Sequence, residues 1–438
     1  MRPKFRLYGV IVMAELKPFR ALRYTDKAGS PRELTCPPYD IISDEQRTAY
    51  LEKNPYNVIR LELPREGEDP YAEASHVLED WLREEILRCD RDPALYIYEE
   101  EFSAYGQRKK VKGVIARVKV EDFSAGVVLP HEETLSKAKA DRFNLMKATH
   151  CNFSQIYSLY MDPEHETLSR IDRLSACTPR HEFDDGSVIH RLWVVNDPVA
   201  IAAICEDFAE RKLYIADGHH RYETAIHFRD WCHEQGLCPE GGEADYVMMM
   251  LVDMEHEGLV VFPTHRLVRD LPSFDEEALL RGCADYFDLE RRTDVSNMEA
   301  VLSGLYSKGK KAFGYYGGGE EWVLLTLKDI SVMEKVLPGK SAASQGLDVS
   351  VLHSLVLEKV LGIDAENMAK QINLTYTRSF EEAVSSVRKG KSQCAFILNP
   401  TRVTEIRDVA AAGEKMPQKS TYFYPKLITG LVMNKMDF

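Results

Sequence analysis

No two cysteines in this chain form a C-x-x-C pair. The nine cysteines, at positions 36, 89, 151, 177, 205, 232, 238, 283 and 394, are odd in number and scattered. That disfavours a disulfide framework or a thiolate zinc site and fits reduced thiols. Basic residues are also short: 56 Lys and Arg face 70 Asp and Glu, for a formal net charge of −14. Broad nucleic-acid binding needs a basic face, and docking on anionic lipid needs a basic patch. Neither partner is expected. Long apolar runs are missing too. LYGVIVMAEL falls well short of the ~20 residues of a membrane span. It follows MRPKFR as a signal-peptide core would, but no Ala-x-Ala cleavage context comes after it. A cytoplasmic protein is expected, with Met13 as an alternative start. There is no internal repeat and no low-complexity tract. The 438 residues, 44% hydrophobic and 29% charged, have the composition of an ordinary globular chain and suffice for two or three domains.

What is present divides into three regions. Residues 13–125 read as an N-terminal αβ domain. It holds the turn-rich PFRALRY and CPPYDII, a Ser43-capped helix over 43–55, and a strand at NVIRLEL. An amphipathic helix over 69–88 and the strands ALYIYEEEF and VKGVIARVKVEDF follow. Residues 126–270 form a central α/β core with most of the chemical residues; within it DYVMMMLVDM and GLVVFPTHRLV read as buried strands. Residues 271–438 read as a C-terminal αβ domain. Its Gly317-Gly318-Gly319 is a hairpin loop and not a nucleotide loop, since no helix follows.

The segment LYIADGHHRYETA is the most informative. LYIA is a short buried strand, Asp217-Gly218 is a turn pair, and a helix-compatible run follows. Strand, glycine turn and helix start bring backbone N–H groups and basic side chains to one point, a geometry suited to phosphate. Gly218, His219, His220 and Arg221 are the expected phosphate-binding residues, with Arg221 able to fork onto phosphate oxygens. Asp217 adds a carboxylate that would hold Mg2+ or handle a proton, and His219 joins it as a catalytic candidate. Lys137, Lys139 and Arg142, in SKAKADRFNL, could place positive charge beside a triphosphate; a solvated charged helix is the competing reading.

Other segments supply substrate contacts. In KATHCNFSQIY, Asn152 and Ser154 are hydrogen-bonding candidates, while adjacent His150 and Cys151 point apart and do not suggest a thiol nucleophile. In PTHRL, His265 and Arg266 could wall a pocket. Zinc is disfavoured because adjacent histidines do not ligate together easily. The tail GEKMPQKSTYFYPKL carries Lys415, Gln418, Lys419, Ser420, Thr421 and Lys426 among aromatics that a disordered tail would lack. An enclosed site is expected, reached by PFRALRY–PPYD, by this tail, or by both. Lys419 and Ser420 are the favoured contacts.

DGHHRYETA resembles the nucleotide-phosphate motif of the ParB/sulfiredoxin-like superfamily, whose free-serine kinases carry a DGH-x-R version. LPHEET, with His131, Glu132 and Glu133, is similar to the Pro-His-Glu segment that precedes that motif. The resemblance implies a ParB/sulfiredoxin-like core with a large insertion between Glu132 and Asp217, flanked by the two αβ regions. It also implies Glu132 as the base, with Glu133 its rival, and His131 and Glu133 near substrate. ATP or ADP would donate a phosphoryl group, with Mg2+, to the hydroxyl of free L-serine or a similar small molecule. A ParB-like nucleotide switch and a metal-dependent phosphohydrolase are the alternatives, and self-association stays open. The ordered set PFRALRY, CPPYDII, NVIRLELP, PHEETL, KADRFNLMKATHCNFSQIY, ADGHHRYETA, PTHRL and MPQKSTYFYPKL further resembles a bacterial and archaeal family filed as a domain of unknown function, number 1015.

Overall fold

The computed structural model describes residues 14–134 and 136–438; the alternative start at Met13 lies outside them. The protein is mixed α/β and divides into two compact units. The first holds the described residues up to Pro130, then Thr134–Val260 and Pro425–Phe438. The second holds His131–Glu133 and Val261–Tyr424. The three regions suggested by the sequence do not coincide with these units. Strands from both sides of residue 125 interleave in one sheet, and Pro425–Phe438 leaves the third region for the first unit.

The first unit is built on a nine-stranded mixed sheet. Its order is Val128–Leu129, Leu213–Asp217, Ile156–Tyr160, Tyr246–Asp253, Gln107–Lys119, Leu95–Ala104, Val188–Val195 and His181–Asp184, with Leu16–Lys17 beside Gln107–Lys119. Leu213–Asp217 runs parallel to Val128–Leu129 and antiparallel to Ile156–Tyr160. Tyr246–Asp253 is buried along its whole length, which accounts for its unbroken apolar run. The helix His219–Glu234 packs on the strands Ile156–Tyr160 and Tyr246–Asp253, and the helix Pro70–Arg83 packs on the helices Ile59–Glu62 and Ser136–Thr149. Pro70–Arg83 starts with Pro70 after Asp69, whose side chain accepts from the N–H groups of Tyr71 and Ala72. Such a cap is worth about 1 kcal/mol. Its apolar stripe of Ala74, Leu78 and Trp81 is buried, each large side chain contributing ~1.5–3 kcal/mol. The helix His219–Glu234 buries Tyr222, Ala225 and Phe228, and Trp231 meets Phe143 of the helix Ser136–Thr149 edge-on at 6.3 Å.

One element departs from its expected type. NVIRLEL reads as a strand but folds as the short helix Ile59–Glu62. The Asn57 side chain accepts from the Ile59 N–H at 3.0 Å and donates to the carbonyls of Glu33 and Thr35. This local side-chain turn overrides the β preference of Val and Ile. As a result, Glu62 is buried.

The second unit has a six-stranded sheet, ordered Phe287–Arg292, Trp322–Leu327, Ala312–Tyr316, Cys394–Ile397, His265–Val268 and Leu374–Thr377. The glycine loop after Tyr316 joins an antiparallel hairpin, with the Tyr316 hydroxyl donating to the Gly319 carbonyl at 2.8 Å. GLVVFPTHRLV does not form one strand: Val260–Val261 and His265–Val268 are separate, because Pro263 has no N–H to donate to a ladder. All nine cysteines are free. Among the described residues, no helix is long and apolar enough to cross a membrane.

Candidate functional site

Asp217 ends its strand after a register shift against Ile156–Tyr160, between Ile215 and Asp217. Such bulges re-aim the side chain that follows. Gly218 then takes φ +95°, ψ 28°, and the 16-residue helix His219–Glu234 begins at once. Only glycine adopts that backbone without strain. A Cβ at Gly218 would also lie 2.9–3.0 Å from the Arg221 guanidinium. Gly218→Ala is therefore expected to cost about 1–2 kcal/mol in chemical denaturation and to displace Arg221. A variant as stable as the parent would contradict this.

The Arg221 side chain lies back over its own turn. Nη2 donates to Asp217 Oδ2 at 2.8 Å and Nη1 to the Gln155 carbonyl at 2.5 Å. Lys426 Nζ pairs with the other carboxylate oxygen, Asp217 Oδ1. All three side chains are largely buried, at 11%, 17% and 11% exposure for Arg221, Asp217 and Lys426. Burial alone would raise the Asp217 carboxyl. The Lys426 ammonium and the Arg221 guanidinium, with a smaller push from His219, outweigh it and bring it down to about 2. Two cations thus converge on one carboxylate at a helix N-terminus, where a third positive contribution comes from the helix dipole.

Beneath this cluster lies a cavity of about 40 Å³, lined by Glu62, Arg142, Asn152, Ser154, Arg221 and Thr224 among others. It has room for a water or two and not for a nucleotide. The structure therefore brings Arg142, Asn152 and Ser154 to the underside of Arg221. Their hydrogen bonds are internal. Ser154 Oγ donates to Glu62 Oε1 at 3.0 Å. Asn152 Oδ1 accepts from the Met248 N–H at 3.3 Å and from Asn434 at 3.0 Å. Arg142 donates to the Glu62 carbonyl and to Asp141, and its guanidinium stacks 4.1 Å from the Tyr39 ring. Burial raises the Glu62 carboxyl, against the pull of Arg142 and Arg221. Of the lysines expected beside a triphosphate, Lys139 is held by Glu223 at 2.7 Å and Lys137 is exposed.

One functional candidate escaped the sequence reading, and one was named with the tail but not favoured within it. Glu62 was hidden in a segment read as a strand. Lys426, just past the point where the chain rejoins the first unit, is a tail residue that reaches Asp217, while Lys419 and Ser420 belong to the second unit. The N-terminal PPYD segment contributes Tyr39, which burial pushes up to about 12 against the opposing fields of Arg142 and Arg221.

Each Asp217 oxygen carries a cation in this arrangement, so an Mg2+ ion held by Asp217 would displace Lys426 or Arg221 from it.

His219, buried, and His220, half-buried, open the helix in the first unit, and the other expected residues belong to the second unit. His131 is buried, with Nε2 3.0 Å from Thr421 Oγ1. Glu132 forms a parallel bridge with Met416 and accepts from the Lys419 N–H at 3.5 Å. Glu133 is exposed and lies 3.7 Å from Lys415. Ser420 Oγ donates to the Pro417 carbonyl. His265 and Arg266 are 0% and 1% exposed and do not wall an open pocket. His265 Nδ1 accepts from the Leu398 N–H at 3.3 Å, and burial with the Arg266 charge holds its pKa down at about 4.

No curated protein sequence matches the chain. Among solved structures it is similar to a free serine kinase in complex with AMP, at 12% identity and a TM-score of 0.37, over 75% of this chain and 92% of that one. A mutant free serine kinase in complex with ADP gives 12% identity and 0.37, over 74% and 92%. A conserved hypothetical protein from Pyrococcus furiosus gives 15% and 0.35, over 74% and 95%. The family described as "Protein of unknown function (DUF1015)" matches residues 16–350, and the chain belongs to that family.

Proposed function

We propose that the protein is a nucleotide-dependent phosphotransferase that phosphorylates the hydroxyl of a small molecule, free L-serine being the favoured acceptor. The observation that carries this reading is the Lys426–Asp217–Arg221 cluster at a strand end, a positive-φ glycine and a helix start. A phosphate group there competes with the Asp217 carboxylate for the same two cations. Phosphoryl transfer depends on such positioned charge more than on covalent chemistry by the protein. Arg221 suits a bidentate grip on phosphate oxygens, and Lys426 supplies a point charge. Gly218 lets the backbone approach closely. The base role of Glu132 and serine as acceptor rest on the likeness of PHEET and DGHHR to the free-serine kinase motifs. ATP and ADP are the candidate donors.

The test is a ³¹P assay of the full chain with ATP or ADP and a set of hydroxy-amino acids. A new phosphomonoester formed with serine supports the reading. Nucleotide that binds without turnover points to a switch instead, and release of inorganic phosphate without acceptor to a hydrolase. In calorimetric titration, Arg221→Ala is expected to lose about 1.5–3 kcal/mol of nucleotide affinity, the worth of one charged hydrogen-bonded contact, or roughly 10- to 150-fold in Kd. Unchanged affinity for every nucleotide that the parent binds would remove the phosphate cradle.

A further inference from the structure

Arg266 is the most deeply buried cation of the second unit, at 1% exposure. No described carboxylate pairs with it, and burial pulls its guanidinium down to about 10. An interior charge without a counter-ion is costly to keep. Arg266 is instead surrounded by neutral acceptors. Nε donates to His353 Nε2 at 3.1 Å, and Nη1 donates to the Thr264 carbonyl. Nη2 donates to the Lys419 carbonyl at 3.1 Å and more weakly to that of Gln418 at 3.5 Å. His353, itself buried and held neutral, accepts the Nε proton. The ring of Tyr376 lies 5.4 Å from the cation.

With its donors spent on backbone carbonyls and the His353 ring, Arg266 is poorly placed to bind an anion and well placed to hold a loop. The loop is Met416–Thr421. Its first residue donates N–H to the His131 carbonyl at 2.7 Å, and its last contacts the His131 ring. The Ser420 carbonyl accepts from Thr401 Oγ1 at 2.7 Å. Lys419 sits at the centre with φ +57°, a left-handed backbone that a lysine keeps only when its surroundings impose it. The two backbone polar groups of Lys419 point to different partners: its carbonyl to Arg266 at 3.1 Å and its N–H to Glu132 Oε1 at 3.5 Å.

We infer that Arg266 is a positioning residue that sets the Glu132 carboxylate through the Lys419 backbone. It fixes the Lys419 carbonyl, which fixes the peptide plane and the strained turn, and so aims the Lys419 N–H at Glu132. A hydrogen bond to a carboxylate favours its charged, proton-accepting form. This inference rests on Glu132 being the base of the proposed reaction.

The experiment compares Arg266→Met and Arg266→Lys in the full chain by amide hydrogen exchange and by steady-state kinetics. In Arg266→Met, exchange across Met416–Thr421 should rise about tenfold or more while the two core sheets keep their protection. If Arg266→Met does not fold, Arg266→Lys, which keeps the charge but loses the fork, carries the same exchange test with a smaller rise. Turnover should fall about 10- to 100-fold, the scale for losing a supporting partner, with KM for nucleotide changed less than about twofold, because uniform binding is untouched. Arg266→Lys should recover part of the turnover. Parent-like exchange in this loop overturns the inference whatever the activity. A rise in KM with unchanged kcat overturns it too. A parent without phosphotransferase activity overturns the proposed reaction, while the exchange result still decides whether Arg266 holds the loop.

Discussion

Replacing Asp217 by asparagine is expected to lower the unfolding free energy by about 3–5 kcal/mol at pH 7, the cost of leaving a buried charge without its partner. The change keeps the shape of the side chain and removes only its charge. Lys426 and Arg221, both 11% exposed, would then face each other across a neutral amide. The effect should depend on pH in a definite direction. The Asp217 carboxyl is depressed to about 2, below the ordinary aspartate value, so its contribution is present above the unfolded-state value. It is lost as pH falls from about 4 through about 2. The gap between parent and variant in urea midpoint should therefore be full at pH 7 and narrow within that acid window, by the roughly 2.5 kcal/mol that the shift is worth. Adding Lys426→Met to Asp217→Asn should recover part of the loss, since the pair is coupled. An Asp217→Asn midpoint equal to the parent's at pH 7 would show that the cluster is not held as described.

The second large effect is on rate. Glu132→Gln is expected to lose about 10²–10⁴ in kcat, the usual contribution of a general base, while keeping nucleotide affinity in calorimetry. Glu133 provides the internal control. It is exposed, and its neighbour Lys415 is 3.7 Å away, so Glu133→Gln should change stability by no more than about 0.5 kcal/mol and leave turnover near that of the parent. If Glu133→Gln is the crippled variant, the base lies one residue further along.

Local chemistry was legible where local chemistry decides the structure. The strand–glycine–helix turn at Leu213–Asp217 and His219–Glu234 follows from an apolar run, one glycine and a helix-compatible segment. The cap at Ser43 formed where its side chain could reach the N–H three residues on. What escaped was non-local. Lys426 meets Asp217 across 209 residues of chain, and nothing near Lys426 distinguishes it from the five other polar residues of its tail. Glu62 was missed for a different reason. Its segment has β-forming composition, and only the Asn57 side chain, bonded to Glu33 and Thr35 from another turn, makes it a helix. The compact units draw their sheet partners from distant segments, which no composition shift reveals.

The way the chain returns to the first unit has a consequence for biosynthesis. Asp217 and Arg221 leave the ribosome before any of Val261–Tyr424 is made, and Lys426 follows only after that whole stretch. A nascent chain can order the sheet around Leu213–Asp217 early, as domains fold while they are translated, yet the carboxylate then lacks one of its two cations. The cluster is completed only when Pro425–Phe438 docks. A chain arrested or clipped within the second unit would carry the DGHHR turn with only one of the two cations on Asp217, and its carboxyl would be held less far below the ordinary range, so it would differ from the finished protein in acid tolerance.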